Sequence, residues 1–144
     1  MENRALHSAL MLLGALPFIA CALLPLTGVT EIAGLGRLDQ LAASYGMAIL
    51  CFLTGIHWAT QLYAREATPF NLFVGSNVVF LVVWFAYAAA GLQWAIVAQL
   101  LAFPVLLAID YRLFQGELIS GQYLRMRTVA TALAWLSLLF ILVS

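Results

Sequence analysis

The chain has 144 residues, of which 65% are hydrophobic and 8% charged, and its six acidic and six basic side chains cancel. So few charges cannot cover a water-soluble globule, in which about a quarter of the residues are charged, and the balanced charge offers no basic surface to nucleic acid. The composition therefore excludes a soluble domain and indicates an integral membrane protein.

Long apolar runs follow one another with short polar interruptions. Each run is long enough to cross a hydrocarbon core of about 30 Å as a helix. We predict an all-α fold, a single domain over residues 1–144 that forms a polytopic bundle of five transmembrane helices. The predicted helices cover residues 7–26, 41–64, 69–90, 94–110 and 122–143.

The first helix and the loop after it contain helix-breaking residues. Pro17 has no amide proton and its ring clashes with the preceding turn, which predicts a kink near the middle of the membrane. Residues 27–40 contain three glycines and form the first loop, in which a short interfacial helix is one option.

The third and fourth helices have clear boundary signals. Thr68 followed by Pro69 predicts an N-cap and a first helical position for the third helix. The short turn at residues 91–93 makes the third and fourth helices antiparallel neighbours. Pro104 frees the carbonyl of Leu100 and predicts a second kink.

Positive charge is distributed unequally between the two sides of the predicted bundle. Short loops rich in Lys and Arg stay in the cytoplasm. One side holds only Arg37. The opposite side holds five arginines, Arg4, Arg65, Arg112, Arg125 and Arg127. The N-terminus is therefore predicted to be cytoplasmic and, with an odd number of helices, the C-terminus to lie outside.

His57 lies inside the second helix, where an ionisable residue is a functional-site hypothesis by default. At 100° per residue, four polar residues fall on one arc, Thr54, His57, Thr60 and Gln61, and Trp58 directly follows His57, so this helix has a polar stripe that should face protein. One interpretation is a hydrogen-bonded anchor between helices. The other is a proton relay or a ligand to haem or metal. The only other histidine, His7, lies near a membrane edge, so no metal site and no protein-bound cofactor are predicted.

Small residues gather on the face of the second helix away from this stripe. Ala48, Gly55 and Ala59 include a small-x-x-x-small pair that allows another helix to approach closely. The second helix is therefore predicted to have two contact faces, little lipid exposure and a central place in the bundle. Polar side chains of the third and fourth helices are expected to bridge helices: Asn71, Ser76, Asn77 and Gln99.

Charged residues cluster at the cytoplasmic ends of the last two helices. Asp110 and Arg112 end the fourth predicted helix, and Arg127 opens the fifth. The structural interpretation is arginines at headgroup level beside an Asp–Arg pair. The functional interpretation is a pocket for an anionic lipid or a quinone headgroup, with Asp110 and Arg127 beside His57. Further charged residues complete the predicted collar: Arg65, Glu66, Glu117 and Arg125.

Two stretches carry a resemblance to a known family. One is Tyr-Gly at residues 45–46 followed by Ile-Leu-Cys-Phe-Leu-Thr-Gly-Ile-His-Trp at residues 49–58. The other consists of Asp110, Gly116, Tyr123 and Arg127. On these residues the chain resembles a family of uncharacterised five-helix membrane proteins, domain of unknown function 3429, which includes animal transmembrane protein 69.

The resemblance covers nearly the whole chain and implies architecture without an activity. Bacterial relatives imply the inner membrane, and animal relatives a mitochondrial one. The chain departs from the family at Cys51, where Ser is typical, and at residues 120–122, which replace a Pro-x-Trp-like entry to the last helix.

Three functions fit these features. The first, which we rank highest, is a non-enzymatic accessory or assembly partner of a larger membrane complex, since little mass lies outside the membrane and no nucleotide loop, Cys-x-x-Cys or paired intramembrane carboxylates are present. The second is a lipid- or quinone-binding protein, with or without catalysis, whose site surrounds His57. The third is an oligomeric small transporter or channel lined by the polar stripe. Membrane lipids, a larger complex or further copies of the chain are the expected partners.

Overall fold

A computed structural model describes residues 2–144 of the chain, with side chains from residue 5 onward. Arg4 is one of the five arginines from which the orientation is predicted, and its side chain lies outside the described part. Within it, five segments are long and apolar enough to cross a membrane, which confirms the predicted five-helix bundle. The helices are α1 (Glu2–Leu13), α2 (Leu16–Leu23), α3 (Leu38–Tyr63), α4 (Leu72–Ala89), α5 (Leu92–Gln115) and α6 (Gly121–Val143).

The first span is broken rather than kinked. It consists of α1, α2 and a 3₁₀ turn at Leu24–Thr27, and the break precedes Pro17. The amide of Ala15 bonds to the carbonyl of Leu12 at 3.0 Å, a tighter turn than an α-helix makes. The Tyr45 hydroxyl donates to the Gly14 carbonyl at 2.7 Å, so α3 supports the break from the side.

The first loop contains a β-hairpin instead of an interfacial α-helix. Strands β1 (Glu31–Ile32) and β2 (Gly36–Arg37) pair antiparallel. The turn between them contains Gly34 with a φ of 85°, a backbone conformation that glycine adopts at little energetic cost. The amide of Leu38 donates to the Thr30 carbonyl at 3.0 Å, so α3 starts directly from the hairpin.

The predicted start of the third membrane helix at Thr68 and Pro69 is wrong. Helix α4 begins at Leu72, and its N-cap is Asn71, whose side chain accepts from the amides of Phe73 and Val74. Thr68 and Asn71 both have side chains that can cap a helix, and α4 uses Asn71. Asn71 is therefore a cap and not a bridge between helices.

Helix α5 is longer than predicted. It runs through Asp110 and ends at Gln115. Residues 111–115, which were predicted to lie in the loop before the last helix, therefore belong to α5. The indole nitrogen of Trp135 on α6 donates to the Leu100 carbonyl at 2.8 Å. That carbonyl is the one Pro104 cannot pair with, so α6 supplies the donor that α5 lacks.

Helix α3 is the central strut of the bundle, as predicted, because it packs against α2, α4, α5 and α6. Helices α4 and α6 flank α5, and α1 packs on α6. The shared core consists of large apolar side chains such as Phe18, Leu50, Phe103, Leu106 and Leu138. This arrangement brings the ends of α3 and α5 together with the start of α6, at the end of the bundle where the site lies.

Candidate functional site

Three buried side chains from three helices form a hydrogen-bonded ionic cluster. His57 of α3 contacts Asp110 of α5 through Nε2 and Oδ1 at 2.8 Å, and Arg127 of α6 donates from Nε to Asp110 Oδ2 at 2.9 Å. Their exposed fractions are 2%, 2% and 5%. The Nη1 of Arg127 donates to the hydroxyl of Thr131 at 3.3 Å. Asp110 thus links α3, α5 and α6 through one carboxylate.

The turn between α5 and α6 places Arg127 opposite Asp110. Helix α5 ends with the amide of Leu118 bonded to the carbonyl of Leu113 at 2.9 Å, which folds the chain back on itself. The side chain of Ser120 then caps α6 by accepting from the amide of Tyr123 at 3.1 Å. Arg127 lies two turns into α6, level with the buried part of α5.

The network determines which nitrogen of His57 carries a hydrogen. Arg127 is always charged, and its buried guanidinium needs a negative partner, which Asp110 provides. An ionised carboxylate only accepts, so the 2.8 Å contact requires a hydrogen on Nε2 of His57. In the neutral imidazole, Nδ1 is then an acceptor. Because Asp110 and Arg127 cancel, neutral His57 leaves the cluster without net charge.

Two nitrogen atoms of the cluster lack partners among the described residues. They are Nδ1 of His57 and Nη2 of Arg127. Buried polar atoms are nearly always paired with protein, water or ligand. The cluster therefore has unused hydrogen-bonding capacity on both sides of Asp110.

A cavity of about 380 Å³ lies beside His57 and Asp110. Thr60 of α3, Ser120 before α6 and Tyr123 contribute hydroxyl groups to its wall. The rest of the wall is apolar: Ile56, Leu113 and Ile119. A second, smaller cavity of about 90 Å³ borders Arg127, Thr131 and the break of the first span at Gly14 and Ala15. The ionic cluster therefore borders a larger cavity at His57 and a smaller one, with room for a few water molecules, at Arg127.

The predicted site residues divide into two groups. His57, Asp110 and Arg127 come together, as the functional interpretation requires. Arg112 points away from Asp110 and is exposed. Trp58 is 42% exposed and packs at a tilted angle against the ring of Phe73 on α4. The other members of the predicted collar are exposed as well: Arg65, Glu66, Glu117 and Arg125.

The polar stripe of α3 does not form one surface. The hydroxyl of Thr54 donates to carbonyls of its own helix, those of Leu50 and Cys51. Gln61 accepts from the amide of Leu72 at 2.8 Å and so holds the start of α4. Of the four stripe residues, His57 and Thr60 border the larger cavity, whereas Thr54 and Gln61 do not.

No described helix of this chain covers the predicted small-residue contact face of α3. Ala48, Gly55 and Ala59 are exposed, and a Cβ added at Gly55 would meet nothing within 4 Å. The close approach occurs at Gly46 instead, where a Cβ would overlap the carboxamide of Gln99. The sequence reasoning missed Gly46, although it lies four residues after Ala42 on the buried face.

Gln99 of α5 is one of the predicted bridging residues. Its Nε2 donates to the Ala43 carbonyl of α3 at 2.7 Å, and it is fully buried. Sequence reasoning did not assign three polar residues of the site, Ser120, Tyr123 and Thr131, because no spacing rule links them to His57. Across residues 5–144, whose side chains the structure describes, no group of three His, Cys, Asp or Glu is arranged to hold a metal ion.

Fold and site together define a multi-pass membrane protein, a five-helix bundle with a buried ionic cluster near one end. The family described as protein of unknown function, DUF3429, matches residues 4–143, and the chain belongs to this family. This confirms the family resemblance, while the link to animal transmembrane protein 69 stays a prediction. No curated protein and no solved structure matches the chain.

Proposed function

We propose that this protein binds the polar headgroup of a membrane amphiphile, a lipid or a quinone, in the cavity beside His57. The observation that carries the proposal is a cavity of about 380 Å³ that borders a buried histidine with an unpartnered nitrogen. Ligand pockets are typically about 300–1,000 Å³, mostly apolar, with a few polar groups that fix orientation. The cavity has this size and this mixture of side chains.

The depth of the site suits a headgroup. His57 lies six residues before the end of α3 at Tyr63, which places it about 9 Å inside the helix end. Ser120, on the cavity wall, is exposed at the start of α6. A molecule bound here keeps its polar end near the headgroup level and its apolar tail among lipid chains.

The test is the identity of molecules that purify with the protein. We expect the wild type, purified in mild detergent, to carry an amphiphile detectable by mass spectrometry after organic extraction. Ile119→Trp narrows the cavity, so this variant should carry much less of the amphiphile. Leu139→Trp, at another half-buried position packed on the core, is the matched control and should retain it. Equal amounts in both variants, or none in the wild type, would refute the proposal.

We also place the protein in the bacterial inner membrane, with the site on the cytoplasmic side. The family resemblance supports the membrane, and the excess of arginines at the site's end of the bundle supports the orientation.

A second candidate function is that of a non-enzymatic partner in a larger membrane assembly. It is favoured by the exposed small-residue face of Ala48, Gly55 and Ala59, which no helix of this chain covers. In lipid, such faces allow close contact between helices. The occupant would be a helix of another membrane protein or of a second copy.

Gentle solubilisation tests this second candidate. Ala59→Phe should weaken recovery of a defined complex, and Ala132→Phe, at an exposed alanine of α6, should not. If the protein always purifies alone as a single species that Ala59→Phe leaves unchanged, the partner role is excluded.

A further inference from the structure

We infer that the headgroup bound beside His57 is a neutral hydroxyl, as in a quinol or a long-chain alcohol, and not an anionic phosphate or carboxylate. This inference rests on the proposed function and specifies its ligand. Two features carry it, the charge of the cavity wall and the donor and acceptor roles of its polar groups, both with His57 as a neutral imidazole.

The wall of the cavity offers no free positive charge. Asp110 is its only charged member among the described residues, and both of its oxygens are already occupied by His57 and Arg127. Arg127 borders the smaller cavity instead, whose volume of about 90 Å³ admits water but not a phospholipid headgroup. An anion beside His57 would meet the Asp110 carboxylate without a cation of its own, which is costly at low dielectric.

Three polar groups on the wall have fixed hydrogen-bonding roles that favour a ligand that both donates and accepts. Nδ1 of neutral His57 can only accept, because Nε2 is the atom that donates to Asp110. Nδ1 is enclosed, so a ligand reaches it only when the imidazole ring turns towards the cavity. The hydrogen of the Thr60 hydroxyl is used on the Ile56 carbonyl at 3.0 Å, so its oxygen is left to accept. The oxygen of Ser120 accepts from the Tyr123 amide at 3.1 Å, so its hydrogen is left to donate.

A hydroxyl group satisfies both requirements, since it donates one hydrogen and accepts through two lone pairs. A quinone carbonyl, an ester or a carboxylate only accepts and would leave Nδ1 of His57 unpaired. The apolar side chains of Ile56, Leu113 and Ile119 then contact the ring or chain that carries the hydroxyl.

The experiment is ¹⁵N NMR of histidine-labelled protein in phosphatidylcholine nanodiscs. The chain has two histidines, so His7→Gln leaves only the His57 signals. The probes are oleyl alcohol and oleate, which share a tail, and a short-chain ubiquinol with its oxidised quinone. The ¹⁵N resonance of a lone-pair nitrogen moves upfield when it accepts a hydrogen bond, so Nδ1 reports the contact directly.

Under mildly alkaline conditions, we expect the Nδ1 resonance to move upfield with oleyl alcohol or ubiquinol. We expect no shift with oleate or with the quinone. Ubiquinol alone would identify a quinol site, and both together a general hydroxyl site. Ile119→Trp should abolish the shift, and Leu139→Trp should keep it. A shift with oleate and not with the hydroxyl probes would overturn the neutral class while leaving the amphiphile proposal intact.

No shift with any probe would also overturn the hydroxyl inference. The proposed function would then be judged by the extracted amphiphile alone, so the two can fail separately.

Discussion

Asp110 is the residue on which the buried cluster depends, since it accepts from both His57 and Arg127. Removing one partner of a buried ion pair leaves an uncompensated charge, which costs about 3–5 kcal/mol. We therefore expect Asp110→Ala to lower the free energy of unfolding by about that amount. The measurement is denaturant-induced unfolding in detergent micelles, followed by circular dichroism.

The chain supplies a matched control for this prediction. Arg37 and Asp39 form an ion pair at 2.7 Å, with 62% and 29% of their side chains exposed. Exposed pairs contribute about 1 kcal/mol or less, so Asp39→Ala should be mild. Equal losses for the two variants would contradict the burial of charge at Asp110.

Replacing Gly by Ala at two positions of α3 should change the free energy of unfolding in opposite directions. A Cβ at Gly46 would lie 2.8 Å from Cδ of Gln99, so Gly46→Ala displaces a buried, hydrogen-bonded side chain and should cost about 1–3 kcal/mol. Gly55 has open space around it, and Ala is favoured over Gly in a helix by about 1 kcal/mol. Gly55→Ala should therefore be neutral or stabilising in the same unfolding experiment. A loss at Gly55 as large as at Gly46 would show that the face of Gly55 is covered.

At the scale of the elements, the pair of α5 and α6 is held by a hydrogen bond that repairs a proline defect. Trp135 donates to the Leu100 carbonyl, which Pro104 leaves without a backbone donor. Trp135→Phe should cost about 1–3 kcal/mol, because it leaves a buried acceptor unpaired. Trp94→Phe, at an indole that is 62% exposed, should cost much less.

A double-mutant cycle separates the hydrogen bond from simple packing. In Pro104→Ala, the restored amide can donate to the Leu100 carbonyl, so Trp135→Phe should cost less in that background than in the wild type. Equal costs in both backgrounds would mean that Trp135 acts by packing alone.

The elements show which boundaries local rules could predict. Apolar runs located all five spans, because membrane thickness sets helix length whatever the tertiary contacts are. The boundaries failed where two local signals competed. Thr68 and Asn71 are both good caps, and the choice between them depends on Gln61, which binds the amide of Leu72 and the hydroxyl of Thr68 from another helix. Likewise, the fourth helix was predicted to end at Asp110, a charged residue after an apolar run. Its partner, Arg127, is 17 residues away, so local sequence does not show that Asp110 is buried within the helix.

At the scale of the whole molecule, the site was predictable in composition but not in geometry. An ionisable residue in an apolar helix is expensive, so His57, Asp110 and Arg127 were identifiable one by one. His57 and Asp110 are 53 residues apart, and only the packing of α3 on α5 joins them. The same packing decides that Arg112, two positions from Asp110, faces outward while Arg127 faces the cluster.

The orientation of the bundle is a prediction of the whole molecule. The start of α1, the α3–α4 connection and the α5–α6 connection lie at one end, whereas the hairpin, the α4–α5 turn and the end of α6 lie at the other. Arg127 is buried beside Asp110, so among residues whose side chains the structure describes the exposed arginines at the first end are three: Arg65, Arg112 and Arg125. Arg37 at the second end is paired with Asp39. The excess still predicts that the first end lies in the cytoplasm.

Cysteine labelling of intact spheroplasts tests this orientation. In a background with Cys21→Ala and Cys51→Ala, a membrane-impermeant maleimide should label Leu35→Cys, in the exposed hairpin, before permeabilisation. Glu66→Cys, in the exposed α3–α4 connection, should react only after permeabilisation. The reverse pattern would place the cavity beside His57 on the outer side of the membrane, and labelling of both sites in intact spheroplasts would mean that the chain inserts in both directions.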